Sequence, residues 1–289
     1  MSLMFKLEKL SEHTAVDIAT QMTTRSSVLG AISLGKYSIA IDSGNPLEIG
    51  QGFRKNLESY FNLPVRYLFL THAHSDHRGG MNAFKDATLL LSQKCKENMP
   101  KSTSFSKWII EPFVDKFVLE ENNLSVEFHH VGGHSLGSSV VHVLNEGILY
   151  AGDLFFTEPI NFGLPFLGFY QSNPRKTGNP EECLAAFHKF KSMKLDYIVP
   201  GHGEVVDNPQ EYLDEQIEFF NSLKSFIISE IQENKTLEEI ELPKIGQIEK
   251  AYQIIQTKSQ KSKTLRFMDT MLNWIKKSFY EFYKESKST

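Results

Sequence analysis

The first two-thirds of the chain alternates between short apolar runs, which predict strands, and amphipathic stretches, which predict helices. Predicted strands lie at 15–22, 27–34, 37–41, 65–70, 87–91, 124–131, 138–144, 148–151 and 197–199. Three helices have clear starts, because Asn45-Pro46, Asn179-Pro180 and Asn208-Pro209 each supply a capping side chain and then a proline at the first helical position. Strands and helices without a regular β-α-β rhythm predict a layered α/β domain, not a barrel.

After Val206 the pattern changes to helical periodicity, with apolar residues three and four positions apart. The two stripes are Leu213, Ile217, Phe220, Leu223, Ile227 and Ile231, then Leu265, Met268, Leu272, Ile275, Phe279 and Phe282. We therefore divide the chain into a main domain at 4–206 and a C-terminal helical extension at 207–289. Packing of the stripes on the main domain is the favoured interpretation; a homodimer contact and a substrate lid are the alternatives.

Composition describes an ordinary globular protein of 289 residues, with 40% hydrophobic residues, 23% charged residues and a net charge of −4. This balance provides no overall basic field and so argues against a nucleic-acid partner. No apolar stretch approaches the ~18–20 residues that a membrane span needs. Cys95 and Cys183 form no disulfide framework or paired zinc spacing, which fits a reducing cytoplasm.

Three of the ten histidines and an aspartate crowd into six positions, directly after the apolar run at 67–70. If buried without a metal, these side chains would each need hydrogen-bond partners, and protonated imidazoles would repel one another. Imidazole nitrogen and carboxylate oxygen are common ligands of Zn²⁺, and they also suit iron and manganese. Because residues i and i+2 of an extended segment share a direction, His72 and His74 can face one ion. Asp76 and His77 can face a second ion nearby.

Four donors from one loop cannot surround two ions, so further ligands must come from elsewhere in the chain. His134 lies in a glycine-rich turn between two predicted strands, and glycine permits close backbone approach. Asp153 and His202 each end a strand-like run, where a rigid sheet can hold a functional side chain. These three residues are therefore candidate ligands.

The order His-x-His-x-Asp-His, then Gly-His, Gly-Asp and Gly-His, resembles the metallo-β-lactamase-fold hydrolases, and the likeness covers roughly 14–206. It is closest in kind to the glyoxalase II-like and lactonase-like dinuclear members. The resemblance implies a four-layer αββα sandwich of the metallo-β-lactamase type. It also implies that the metals lie at one edge, between loops of the two sheets.

Carried over position by position, the resemblance implies two groups of metal ligands. His72, His74 and His134 hold the first ion, Asp76, His77 and His202 hold the second, and Asp153 bridges them. Asp42 matches an aspartate of the family that orients a metal ligand without binding the metal itself. Such outer hydrogen-bond partners fix the tautomer of a ligating histidine. The best-known β-lactam hydrolases have cysteine at the bridging position, so Asp153 argues against antibiotic hydrolysis.

The function that this resemblance implies is dinuclear-metal hydrolysis of a small-molecule ester, thioester or lactone by a metal-bridging hydroxide. A Zn²⁺ ion can bring the pKa of bound water from 15.7 to about 7. Two divalent ions are expected, zinc first, with iron or manganese as alternatives. Asp76 serves as a ligand and as the catalytic proton acceptor. The C-terminal helices show no recognisable basic pattern for binding glutathione.

An aromatic segment follows Asp153 directly and is expected to overhang the metals. Its pocket candidates are Phe155, Phe156, Phe166, Phe169 and Tyr170. An apolar rim favours a small substrate with a hydrophobic portion. Two alternatives of the same fold are kept: a phosphodiesterase or nuclease, for which only the short basic run at 258–266 argues, and an iron-dependent oxygenase.

Overall fold

A computed structural model describes residues 6–18, 27–158, 160–170, 173–256 and 261–286, with the backbone path alone at 160, 170, 174–177 and 261–264. The strands are β1 Leu7–Lys9, β2 Thr14–Asp17, β3 Leu29–Ser33, β4 Ser38–Ile41, β5 Val65–Phe69, β6 Thr88–Ser92, β7 Ile109–Phe113, β8 Lys116–Glu121, β9 Leu124–His130, β10 Ser139–Val143, β11 Ile148–Phe156, β12 Phe169–Tyr170, β13 Asn173–Thr177 and β14 Tyr197–His202. The helices are α1 Leu47–Phe61, α2 Ser75–Arg78, α3 Gln93–Asn98, α4 Pro180–Lys191, α5 Pro209–Gln232, α6 Gly246–Gln256 and α7 Lys261–Glu285.

These strands form two large sheets and one small hairpin. The first sheet has seven strands in the order β1 to β7, antiparallel up to β4 and parallel from β4 onward. The second sheet has the order β14-β11-β10-β9-β8, with a parallel pair between β11 and β14. Strands β12 and β13 pair with each other.

Three hydrophobic clusters divide the molecule into layers. The middle cluster joins the facing sides of the two sheets and includes Ile32, Phe69, Phe128 and Tyr150. A second cluster packs α1 and α3 on the outer face of the first sheet. The third packs α4, α5, α6 and α7 on the outer face of the second sheet. Alternate residues of each strand point to opposite faces, so both faces of each sheet can be buried. The predicted αββα sandwich is confirmed.

Strands β11 and β14 extend three or more residues past their predicted ends, and both extensions carry candidate ligands. Strand β11 continues to Phe156 and contains Asp153, while β14 continues to His202. Residues 19–22 of the first predicted strand lie outside the described residues.

Of the three predicted helix caps, only Asn179 accepts hydrogen bonds from backbone N–H groups, those of Glu181 and Glu182. Capping by Asn45 is wrong: α1 begins at Leu47, and the side chain of Asn45 packs against Gly79 instead.

The C-terminal helices continue the main core. The outer cluster on the second sheet joins Leu149 of β11 and Phe187 of α4 to Phe220 of α5 and Phe279 of α7. Packing of the apolar stripes on the main domain, the favoured interpretation, is what the structure shows, while the boundary at 206/207 stays a prediction. Among the described residues, no helix has the length and apolar character that a membrane span requires.

Candidate metal centre

All seven predicted ligand residues lie together at one edge of the sandwich. They form two groups that could hold a metal ion: His72, His74, His134 and Asp153, then Asp76, His77, Asp153 and His202. His72 and His74 follow β5, Asp76 and His77 lie on α2, and His134 lies in the β9–β10 loop. Only Asp76 has substantial exposure, with 26% of its side chain accessible.

The first group brings three imidazole nitrogens to one point. Nδ1 of His74 is 3.0 Å from Nε2 of His72 and 2.9 Å from Nε2 of His134. Oδ2 of Asp153 lies 3.6 Å from Nε2 of His72 and 3.4 Å from Nε2 of His134.

The second group uses the other oxygen of the shared carboxylate. Oδ1 of Asp153 is 2.9 Å from Nε2 of His77 and 3.5 Å from Nε2 of His202. Oδ2 of Asp76 is 3.1 Å from Nε2 of His202 and 3.7 Å from Nε2 of His77. Asp153 therefore presents one oxygen to each group, as a bridging carboxylate would.

Hydrogen bonds to backbone carbonyl groups determine which nitrogen of His74 and of His134 carries the proton. Nε2 of His74 faces the Phe169 carbonyl oxygen at 2.9 Å, and Nδ1 of His134 faces the Phe166 carbonyl oxygen at 2.5 Å. A nitrogen facing a carbonyl oxygen must be the donor, so the opposite nitrogen keeps a lone pair that points into the group. The Gly168 N–H, 3.3 Å from Nδ1 of His134, then meets a protonated nitrogen and makes no hydrogen bond with it.

Asp42 and Thr71 assign the tautomers of His72 and His77. Nδ1 of His77 donates to Oδ2 of Asp42 at 2.7 Å. The Thr71 hydroxyl donates to the same oxygen at 2.7 Å and so accepts from Nδ1 of His72 at 3.1 Å. Both histidines therefore turn the lone pair of Nε2 inward. One buried carboxylate thus orients a histidine in each group.

Each group suits a cation. Without a cation, the inward lone pairs of the imidazoles and the carboxylate oxygens would face each other directly and repel. Nε2 of His77 and Oδ1 of Asp153 are only 2.9 Å apart, yet both atoms are buried without a hydrogen bond of acceptable geometry. Buried polar atoms without partners are costly, and unpaired ones call for an ion or water. A divalent ion in each group would satisfy both atoms.

The charges of the site support the same interpretation. Burial lowers the pKa of His72 and His74, and lowers that of His134 to about 4, so these imidazoles are neutral near pH 7. Burial would also lower the pKa of His77, but the charges of Asp153, Asp42 and Asp76 raise it well above its usual range. Three carboxylates around one imidazole therefore favour a positive charge at this point: a proton on Nε2 of His77 when no ion is bound, and a metal ion in its place when that lone pair binds one.

Two glycines let the backbone approach the ligands closely. A Cβ atom on Gly168 would lie 2.4 Å from Cε1 of His74 and 2.7 Å from Cε1 of His134. A Cβ atom on Gly201 would lie 2.0 Å from Oδ1 of Asp153. None of these three distances is sterically allowed, so any side chain at these positions would displace a candidate ligand.

A cavity of about 300 Å³ opens onto the two groups. Its walls contain Phe156, Phe166 and Phe169, three of the five predicted pocket residues. The prediction that Phe155 lines the pocket is wrong: its side chain is buried and stacks on Phe187 with ring centroids 4.9 Å apart. The register of β11 against β14 shifts between Gly152 and Phe156, which interrupts the strict alternation of faces. Phe156 therefore lines the cavity together with Asp153, while Phe155 packs into the core. The side chain of Tyr170 lies outside the described residues.

The cavity also has walls that the sequence did not predict. Phe267 and Met271 come from α7, and Ser75 and Asn161 add polar groups. The apolar periodicity of α7 is visible in the sequence, but not which of its residues meet the cavity. Thr71 was likewise missed, although it lies directly between β5 and His72.

This chain is similar to known proteins in sequence and in fold. Residues 25–202, more than half of the chain, match the sequence model of the metallo-beta-lactamase superfamily. The beta-lactamase-like protein 2 homolog of Caenorhabditis elegans is 24% identical over 223 residues, which cover 75% of this chain and 68% of that protein.

Two further comparisons are more limited. Hydroxyacylglutathione hydrolase of Pelagibacter ubique is 28% identical over 113 residues, covering 38% of this chain and 43% of that enzyme. The match thus spans less than half the length of that hydrolase. A solved metallo-beta-lactamase from Pontibacter korlensis has a TM-score of 0.59 at 18% identity, covering 75% of this chain and 99% of that one. At this identity the likeness shows the fold alone.

Proposed function

The chain belongs to the metallo-beta-lactamase superfamily, and from this premise we propose that it is a dinuclear-metal hydrolase of small, uncharged esters, thioesters or lactones. The observation that carries the proposal is the pair of ligand groups that share Asp153, with the lone pairs of four of their five imidazoles directed inward. His72, His74 and His134 would hold one ion, and Asp76, His77 and His202 the other. Zinc suits this set of nitrogen and oxygen donors, with iron or manganese as alternatives.

Two divalent ions held there would supply an acidified water molecule and polarise the substrate carbonyl. The protein's own part is to orient the ligands and to move a proton. Asp76 suits the second task, because its side chain is the most exposed of the ligands and lines the cavity. Burial would raise the pKa of Asp76, but His77 and His202 lower it to about 2, so the carboxylate is ionised near pH 7, as a metal ligand must be.

The cavity lining supports an uncharged substrate with an apolar portion. Its large side chains are Phe156, Phe166, Phe169, Phe267 and Met271. Among the described residues that line it, none is lysine or arginine, so no basic side chain there would neutralise a carboxylate-rich substrate such as a glutathione conjugate. Asp153 at the bridging position argues against β-lactams, as the resemblance to the Asp-bridged members implies.

Two other functions of the same fold remain as alternatives. A phosphodiesterase or nuclease would need cationic surface for the flanking phosphates, and the net charge of −4 argues against that. An iron-dependent oxygenase would use the same nitrogen and oxygen donors with one iron ion. A cytoplasmic location also stays a prediction, for which the two buried, unpaired cysteines are the support.

The test is metal analysis of the purified protein together with a panel of lactone, thioester, carboxyl-ester and phosphodiester substrates. We expect two zinc equivalents and hydrolysis of uncharged acyl substrates, lost in His72→Ala and Asp153→Ala. The matched control is His142→Ala, which removes a buried histidine outside both groups. Turnover of phosphodiesters without ester or lactone hydrolysis would favour the nuclease. One iron equivalent with oxygen consumption would refute the proposal.

A further inference from the structure

A short stretch without regular secondary structure, residues 164–168, leads into β12 and presses against two of the candidate ligands. The Phe166 carbonyl accepts from Nδ1 of His134, and the Phe169 carbonyl, one residue past the stretch, accepts from Nε2 of His74. Gly168 packs its Cα against both rings. The path of residues 166–169 therefore decides where the lone pairs of two imidazoles point.

This stretch is held from the other side by one residue of α7. The indole Nε1–H of Trp274 donates to the Leu167 carbonyl at 2.5 Å. Its ring stacks on Phe166, with centroids 5.4 Å apart and an interplanar angle of 26°, and meets Phe169 edge-on at 6.5 Å. Trp274 thus makes three contacts with residues 166–169, and two of these residues, Phe166 and Phe169, orient His134 and His74 through their carbonyl groups.

We propose that Trp274 is a positioning residue for the first ion group, acting from the C-terminal helix through residues 166–169. The inference rests on the proposed metal centre but goes beyond it, because it makes α7 part of the metal site as well as a wall of the cavity. Loss of the indole N–H frees the Leu167 carbonyl. The neighbouring carbonyls then lose their fixed direction toward the two imidazoles.

The effect is specific to one group. His77 is oriented by Asp42, and His202 stacks on Phe156 of β11 with centroids 5.2 Å apart and an interplanar angle of 6°. Neither contact involves residues 166–169 directly. Phe156 is linked to them by an edge-on contact with Phe166, with ring centroids 6.2 Å apart, and this contact contains no hydrogen bond that orients a ligand. A variant of Trp274 should therefore weaken the ion held by His72, His74 and His134 and spare the ion held by Asp76, His77 and His202.

The test measures Zn²⁺ affinity by competition with a chromophoric chelator, with each group isolated in turn. His202→Ala leaves the first group to report alone, and His134→Ala leaves the second. We expect Trp274→Phe, which keeps a ring but removes the N–H, to weaken Zn²⁺ binding roughly tenfold in the His202→Ala protein. Trp274→Ala, which also removes the stacking, should weaken it further. In the His134→Ala protein both substitutions should leave the affinity unchanged.

The matched control is Tyr280→Phe, which removes another side-chain hydrogen bond of α7, to the Lys235 carbonyl at 3.1 Å and away from the site. It should change neither affinity. A second readout is the ¹⁵N spectrum of the histidine rings, where Trp274→Phe should perturb His74 and His134 alone. Equal affinities for Trp274→Phe and wild type, or equal losses at both groups, would overturn the inference. A wild-type protein that binds no zinc would instead overturn the proposed function, and this inference with it.

Discussion

Replacing Asp42 with asparagine is the sharpest test of how the metal centre is held. The buried carboxylate accepts three hydrogen bonds: from the Thr71 N–H at 2.8 Å, the Thr71 hydroxyl at 2.7 Å and Nδ1 of His77 at 2.7 Å. Asparagine has nearly the same shape but replaces one acceptor oxygen with an NH₂ donor. Asp42 has φ of +60°, a conformation that asparagine also tolerates, so the backbone should not change.

Neither orientation of the new amide preserves all three bonds. If NH₂ replaces Oδ1, it faces the Thr71 N–H, and a buried donor without an acceptor costs about 1–3 kcal/mol. If NH₂ replaces Oδ2, His77 must accept at Nδ1, which moves its proton to Nε2 and removes the lone pair that faces the second ion. Loss of such an outer partner typically costs 10–100-fold in metal affinity, or about 1.4–2.7 kcal/mol.

The assay is a Zn²⁺ competition titration of Asp42→Asn against wild type, with the protonated nitrogen of His77 read from its ¹⁵N shifts. We expect the second ion to be weakened 10–100-fold, and the first less, because His72 is reached only through Thr71. Asp17→Asn is the control, since it makes the same change at a buried carboxylate outside both groups. Wild-type affinity for both ions in Asp42→Asn, or an equal loss in Asp17→Asn, would refute the tautomer argument.

Three further predictions concern stability and the cavity. Burial raises the pKa of Asp17 from 3.8 to about 6, so ionisation of this carboxyl group destabilises the fold as the pH rises from about 4 to 6. The substitution Asp17→Asn removes that ionisation. It should therefore stabilise the metal-free protein against urea by on the order of 2 kcal/mol at pH 8 and by almost nothing at pH 4. Equal effects at both pH values would contradict this. Removal of the metal ions by a chelator should lower the melting temperature by roughly 10 °C or more. Each ion, at a thousandfold excess over its dissociation constant, adds about 4 kcal/mol to the free energy of unfolding. An unchanged melting curve would argue against both ions. Phe267→Ala should raise KM for an aryl ester roughly tenfold or more with little change in kcat, since burying an aromatic side chain is worth about 1.5–3 kcal/mol. The exposed Leu265→Ala on the same helix should leave KM unchanged.

Much of the fold was predictable because the periodicity of apolar residues follows directly from strand and helix geometry. Strand β5, for example, was expected at 65–70 and lies at Val65–Phe69. The strand ends were harder to predict. In β11 the apolar run is interrupted by Gly152 and Asp153, so the prediction stopped at 151, whereas pairing with β14 carries the strand on to Phe156.

The chemistry of the site was present in the sequence by itself, because four candidate ligands are neighbours in one loop and the others follow glycines at strand ends. Local geometry is enough to predict that such side chains meet a metal. What only the tertiary structure decided is how the site is held and what faces it. The contact between Trp274 and Leu167 joins residues 107 positions apart, and Phe155 differs from Phe156 only in the face of β11 that it occupies. Such contacts depend on how α7 and the sheet pack together, and the periodicity of one segment carries no information about the partner it will meet.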